Sequence, residues 1–231
     1  MSNNMKENYI FVISDLHLAD GTGTDDFGNF EVTSEREDKL ISFINQYNPG
    51  KIIANGDTYE LWQVRMKKIK VAHPKIINFL NTDERVHILV GNHDYRRGGK
   101  LNFKFYTKDN KKGLITHGFQ VDRGLGNIIT RFFYWILGLI EKIIPDLDNF
   151  FARKKFWNQG LQKKVREFAL KKFEKGYDIV VCGHCHVPKY EEIYGNGNNG
   201  KIYANSGTCQ EGRLEGVLIN TDTGEVSLKI E

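Results

Sequence analysis

The chain has few cysteines: Cys182, Cys185 and Cys209 are the only three in 231 residues. So low and odd a count excludes a disulfide framework as the source of stability. A membrane-spanning run is also missing. The most apolar stretch, Phe132–Ile140, is bracketed by Arg131 and Glu141 and falls well short of the roughly 20 apolar residues a spanning helix needs. The opening residues MSNNMKENY are polar and contain no apolar signal core, from which a cytoplasmic location is expected. No fixed-period repeat is visible. Charge of one sign does not dominate either, since 33 basic and 29 acidic residues leave a net charge of +4, too mild to demand a nucleic-acid partner. With 27% charged and 40% hydrophobic residues, the composition is that of an ordinary globular chain long enough for one domain with an inserted subdomain.

Charge is nevertheless unevenly placed. Nine basic residues fall between Arg153 and Lys175, against Glu167 and Glu174. Such a patch attracts phosphates, nucleic acid or an acidic lipid surface; the plainer alternative is a solvated helix face.

Short apolar, β-rich runs recur, each ending in polar residues. Tyr9–Ser14 leads into Asp15, Ile52–Asn55 into Gly56-Asp57, and Val86–Val90 into Gly91-Asn92-His93-Asp94. Leu114–Thr116 leads into His117-Gly118, and Ile179–Cys182 into Gly183-His184-Cys185-His186. Runs of this kind predict buried strands. Helical patterns lie between them at Ser34–Tyr47, with a Ser34/Glu37 capping signal, and at Pro74–Leu80. Alternation of the two predicts an α/β sheet, with the polar clusters at the strand ends where such sheets place ligands. Further short strands are expected at Ile202–Ala204, Gly216–Asn220 and Val226–Ile230, separated by Gly/Asn-rich turns. Residues 122–175 carry no strand signal and read as a helical insertion broken near Pro145, within a domain that spans residues 1–231.

The strand ends offer imidazoles, carboxylates and one amide. This donor set suits hard or borderline divalent ions such as Mn²⁺, Fe²⁺ or Zn²⁺. It is too large for one ion and about right for two ions sharing a carboxylate, a pair that can bind a bridging hydroxide and clamp phosphoryl oxygens. Each cluster alone is a weak signal; five in order are a strong one. A rival reading, a small zinc site at Cys182-x-x-Cys185, lacks a second cysteine pair nearby.

The ordered set Asp15-Leu16-His17-Leu18, Gly56-Asp57, Gly91-Asn92-His93-Asp94, His117-Gly118 and Gly183-His184-Cys185-His186 resembles the calcineurin-like metallophosphoesterase superfamily. The resemblance implies a four-layer α/β/β/α fold: a two-sheet β-sandwich flanked by helices. It implies two divalent metal ions, with manganese the first expectation and iron or zinc the alternatives. Asp15, His17 and His186 are then expected to hold one ion, Asn92, His117 and His184 the other, and Asp57 to bridge them. His93 is expected to contact the phosphate or protonate the leaving oxygen, with Asp94 orienting it. Glu60 and Trp62, following the bridge, resemble the branch of UDP-2,3-diacylglucosamine hydrolases, in which a helical insertion holds acyl chains. That branch usually has arginine where this chain has His93, and an acidic residue where it has Phe119; Asp122 and Arg123 follow instead and are the remaining candidate substrate contacts.

The expected activity is hydrolysis of a phosphodiester or diphosphate, on a phosphorylated small molecule or a lipid such as UDP-2,3-diacylglucosamine. Peripheral association with the inner membrane surface would accompany a lipid substrate, because the aromatics of residues 132–157 stand next to the basic stretch. A nuclease, a soluble phosphodiesterase or phosphatase, and a metal-binding scaffold are the alternatives.

Overall fold

The computed structural model describes residues 6–22, 25–28, 31–121, 155–194 and 200–231. Ten strands among these form two five-stranded sheets. The first has the order β10-β9-β1-β2-β3, built from β1 (Lys6–Ile13), β2 (Pro49–Asn55), β3 (Val86–Leu89), β9 (Glu215–Asn220) and β10 (Val226–Ile230). The second has the order β4-β5-β6-β8-β7, from β4 (Asn102–Tyr106), β5 (Lys112–Thr116), β6 (Ile179–Cys182), β7 (Lys189–Ile193) and β8 (Lys201–Asn205). Strands β1, β2 and β3 run parallel, as do β5, β6 and β8, while β9, β10, β4 and β7 pair antiparallel with their neighbours.

Side-chain alternation explains the layering. Ile10 and Val12 of β1 point between the sheets and pack with Ile53, Ile115, Val181 and Val217. Phe11 and Ile13 point the other way, onto α1 (Thr33–Asn45), α2 (Met66–Ala72) and α3 (Pro74–Thr82), joining Leu40, Ile44, Ile76 and Leu80. On the far side, Val165, Ala169 and Phe173 of α4 (Lys155–Phe173) cover Val180 and Cys182 of β6 and Tyr203 of β8. The result is the expected four-layer α/β/β/α sandwich. Central strands are buried on both faces, which is why they read as unbroken apolar runs.

Three details differ from the sequence reading. Edge strands β4 and β7 were not expected; their sequences NFKFY and KYEEI mix charge with apolar residues, as solvent-facing edges do. Helix α2 was not expected either. The Ser34/Glu37 capping box is absent: α1 starts after Val32 with no side-chain cap, and the buried Glu37 carboxylate instead accepts the Ile76 backbone N–H at the start of α3 (2.9 Å). Of the segment expected as a helical insertion, residues 122–154 lie outside the described residues, and α4 lies against the second sheet as one of the four layers. Among the described residues no helix is long and apolar enough to cross a membrane.

Candidate metal centre

Five strands of the two sheets, β1, β2, β3, β5 and β6, end at one rim, and the loop after each delivers a polar cluster there. The loops are laced together by backbone bonds: Asp15 N donates to Gly56 O (3.1 Å), His17 N to Asp57 O (2.9 Å) and Gly183 N to His117 O (2.9 Å). Eight non-glycine described residues have positive φ, and five of them are Asp15 (55°), His17 (48°), Asp57 (49°), His184 (72°) and His186 (52°). The left-handed region is sparsely used by such residues, and clusters of it mark sites where surroundings over-determine the backbone.

Three groups of ligating atoms form, each with its atoms within 4.8 Å of one another: His17–Glu60–His93, and the pair Asp15–His17–His186 and Asp57–His117–His184. Asp57 Oδ2 stands between the two groups of that pair, 3.0 Å from His117 Nε2 and 3.7 Å from His17 Nε2. Asp15 Oδ1 is 3.1 Å from His186 Nε2, 3.8 Å from His117 Nε2 and 3.9 Å from His17 Nε2. Each carboxylate commits its other oxygen to the protein. Asp15 Oδ2 accepts from Ser14 Oγ (2.5 Å) and His184 N (3.0 Å), and Asp57 Oδ1 accepts from His93 N (2.8 Å). Asp15 Oδ1, His17 Nε2, Asn92 Oδ1 and His117 Nε2 are all buried without a hydrogen-bond partner. Buried polar atoms are rarely left so, and four converging on one rim fit cations as their missing partners.

Hydrogen bonds behind the imidazoles fix which nitrogen faces the centre. His117 Nδ1 lies 2.8 Å from the carbonyl of Asn55, so it must donate there, which aims Nε2 inward. Glu60 Oε2 receives both His17 Nδ1 (3.1 Å) and His93 Nδ1 (2.5 Å). Burial opposes the charge on Glu60, but His93 and His17 win and hold its carboxyl down at about 2, so it is an acceptor at neutral pH. Burial likewise opposes charge on His17 and His117. Glu60, Asp57 and Asp15 nevertheless raise His17 to about 10, and Asp57 and Asp15 raise His117 to about 9. The centre thus favours positive charge strongly. Asp15 and Asp57 are correspondingly held well below the usual carboxylate range in spite of their burial, chiefly by His117 together with His186 for Asp15 and His93 for Asp57.

Other candidate residues fall as follows. Trp62 stacks on the His93 ring with centroids 3.8 Å apart and planes at 20°. Together with the Glu60 contacts, this places Glu60 and Trp62 around His93 itself. The contact expected between Asp94 and His93 is replaced by that of Glu60. Asp94 instead accepts from Gly91 N (2.7 Å) and Thr58 N (2.9 Å), clamping two loops, and burial with the nearby Asp57 charge raises it to about 6. Asp122 and Arg123 lie outside the described residues. Cys182 and Cys185 are buried in the α4 layer, burial pushes the Cys185 thiol up to about 12, and no ligand cluster among the described residues contains a cysteine.

The sequence reading passed over a sixth loop, Asn205-Ser206-Gly207-Thr208 after β8. Ser206 Oγ contacts Ser14 Oγ (2.7 Å), Thr208 Oγ1 donates to Asp15 O (2.8 Å), and Asn205 Nδ2 donates to Gly183 O (2.7 Å). Its signal was present, a polar cluster directly after the Ile202–Ala204 strand, but Asn, Ser and Thr there look like any turn.

The model of the calcineurin-like phosphoesterase superfamily domain matches residues 9–223. Among solved structures, a dimetal phosphatase from Danio rerio is similar in fold, with a TM-score of 0.53 at 10% identity over 96% of this chain and 95% of that one. An archaeal phosphodiesterase gives 0.48 at 18% identity, covering 96% and 99%. Zinc-complexed wild-type Vps29 from Entamoeba histolytica gives 0.46 at 16% identity, covering 96% and 97%. No curated protein sequence matches this chain significantly.

Proposed function

Because this chain belongs to the calcineurin-like phosphoesterase superfamily, we propose that it hydrolyses a phosphodiester or diphosphate bond with two divalent metal ions. The observation that carries this reading is the meeting of two ligand groups across Asp57 Oδ2, with four buried polar atoms left unpaired between them. Asp15, His17 and His186 would hold one ion, Asn92, His117 and His184 the other, and Asp57 would serve both. The mixed O/N donor set suits Mn²⁺ first, with Fe²⁺ or Zn²⁺ as alternatives. Such ions, when bound, supply Lewis acidity and acidify water near neutral pH.

The protein's own part centres on His93. Its Nδ1 donates to Glu60, so Nε2 is the atom that gives a proton to the departing oxygen. Trp62 against the ring restricts its rotation, and Glu60 ties the same carboxylate oxygen to His17. Proton donor and metal ligand are thereby held by one group.

The residues that suggested a nucleotide–lipid diphosphate substrate divide in two. Glu60 and Trp62 surround His93, and the apolar run Phe132–Ile140 lies outside the described residues. A lipid substrate therefore remains a proposal from sequence, together with cytoplasmic location and peripheral membrane contact; turnover of UDP-2,3-diacylglucosamine and cell fractionation test them.

Metal analysis and turnover of bis(4-nitrophenyl) phosphate test the central reading. Two equivalents of metal and metal-dependent turnover are expected, with both lost in Asp57→Ala. A metal-free, inactive wild-type protein would refute an enzymatic role and favour a scaffold.

A further inference from the structure

A second cationic feature lies away from the ligand clusters. On the outer face of the second sheet, α4 covers β6 and β8, and beside it, over β4 and β5, is a cleft of about 280 Å³. Lys104 of β4 and Lys172 of α4 line it. Neither lysine makes an ion pair among the described residues, although neighbouring ones do: Lys108 with Asp222, Lys111 with Asp109 and Lys189 with Glu191. Lys172 Nζ instead rests 4.6 Å from the centre of the Phe168 ring, and Lys112 Nζ 4.5 Å from that of Tyr177. Phe168 and Tyr177 are themselves walls of the cleft. Nearby carboxylates are otherwise engaged or turned out. Asp178 accepts from Lys112 N (2.9 Å), while Glu167 and Glu174 are exposed on and just after α4.

The cleft also adjoins the metal centre along the chain. Thr116, the residue before His117, is part of its lining, as is Gln120, three residues beyond that histidine. Leu101 and Asn102 at its other margin follow the exposed basic loop Tyr95–Lys100, which begins directly after Asp94.

We propose that this cleft is an anion subsite for one nucleotide unit, a phosphate held between Lys104 and Lys172 with its base against Phe168 or Tyr177. Unpaired ammonium groups meet a phosphate without first breaking an ion pair, and aromatic walls accept any base through its π-face. Asn102 and Gln120 offer amides for the base edge or sugar. The volume falls just under the roughly 300–1,000 Å³ of ordinary small-molecule pockets, too small for a pair of acyl chains and close to what a single nucleotide fills. The occupant is either a nucleotide flanking the scissile bond in a single strand or a free nucleotide. The first case deepens the phosphoesterase reading and rests on it.

The test uses Lys104→Glu and Lys172→Glu, singly and together, with bis(4-nitrophenyl) phosphate, single-stranded tetrathymidylate and AMP as probes. With a flanking nucleotide in the cleft, kcat/KM for tetrathymidylate relative to bis(4-nitrophenyl) phosphate falls roughly tenfold in the double variant, through KM. The log–log salt slope of tetrathymidylate binding then shrinks by about 0.7 for each phosphate that a lysine no longer neutralises. With a free nucleotide, AMP affinity measured by calorimetry falls in the variants while the ratio holds. Anisotropy of labelled tetrathymidylate on metal-free protein reads the cleft without turnover, so an inactive wild-type protein would overturn the phosphoesterase reading and leave the cleft to be judged by binding. Wild-type tetrathymidylate binding, AMP binding and salt slope in a double variant of native melting temperature would overturn the subsite.

Discussion

Gly91→Ala is the sharpest single probe of how the loops build the centre. A Cβ at residue 91 would sit 2.2 Å from Asp57 Oδ1, 2.6 Å from Asp57 N and 2.7 Å from Asp57 Cγ. Ordinary contact begins near 3.4 Å, so the carboxylate or the loop must give by about 1 Å. The carboxylate is not free to do so, because Oδ1 accepts the His93 N–H at 2.8 Å and Oδ2 faces the two ligand groups. Overpacking of this kind costs about 1–3 kcal/mol, which in a chain of this size lowers the melting temperature by roughly 2–12 °C. Activity should suffer more than stability, since a misplacement of about 1 Å at a catalytic centre can cost about 10²-fold. Metal content and bis(4-nitrophenyl) phosphate turnover, both read well below the melting transition, together with the melting temperature itself, separate the two effects. Gly183→Ala is the milder comparison, its Cβ meeting the Ser14 hydroxyl at 2.6 Å and Asp15 Oδ2 at 2.9 Å. A folded Gly91→Ala protein with two tightly held metals and wild-type turnover would refute the packing argument and the role given to Asp57.

Other outcomes follow from the same contacts. Glu60→Gln keeps the shape but puts a neutral amide opposite two imidazole N–H groups; turnover of an alkyl phosphodiester should fall by about 10²-fold or more, and of a 4-nitrophenyl ester by less, because nitrophenolate departs without a proton. Equal losses on both would show that Glu60 does not act through His93. In chelator-treated protein His17 is raised to about 10 and His117 to about 9, so the stability these groups contribute is complete below about pH 6.5 and is lost as pH climbs through 9–10. Melting temperature without metal should therefore drop from pH 7 to pH 10, and metal loading at pH 7 should release protons, measurable by calorimetry in buffers of different ionisation enthalpy; a flat profile with no proton release would contradict both. Asp25 is a structural counterpart. It accepts backbone N–H groups from Ala19, Gly21, Phe27 and Gly28 and contacts His73 Nε2 at 2.8 Å, both side chains fully buried. Asp25→Ala should cost about 3–5 kcal/mol in denaturant titration without altering metal stoichiometry.

What could be read from the sequence has a physical pattern. Strands buried on both faces leave unbroken apolar runs, so β1, β2, β5 and β6 announced themselves, as did the half-buried edge strand β3 through its sequence VHIL, and so did the polar residues that ended them. Edge strands β4 and β7 had to carry charge to stay soluble and therefore looked like loops. Side-chain pairing across the fold was not legible. Asp94 is adjacent to His93 and seemed its natural partner, yet the loop turns it toward Gly91 N and Thr58 N, and Glu60, 33 positions earlier, takes the imidazole. Glu37 likewise looked like half of a local capping box until α3 packed beside it and offered the Ile76 N–H.

Backbone strain was equally invisible in the sequence, and it bears on why the centre is built from loops. Asp15, His17, Asp57, His184 and His186 all adopt the left-handed conformation, which costs a non-glycine residue about 1 kcal/mol or more. Within the parallel strands that precede them, successive side chains would point to opposite faces, and Asp15 and His17 could share a direction only along the sheet normal. The left-handed turns release them from that alternation and let the loops after β1, β2 and β6 aim their side chains at the same point. The backbone bonds from Asp15 N, His17 N and Gly183 N to neighbouring loops hold those turns in place. Substitutions that relax the strain would thus stabilise the fold while dispersing the ligands, so stability and metal binding should trade against each other at these five positions.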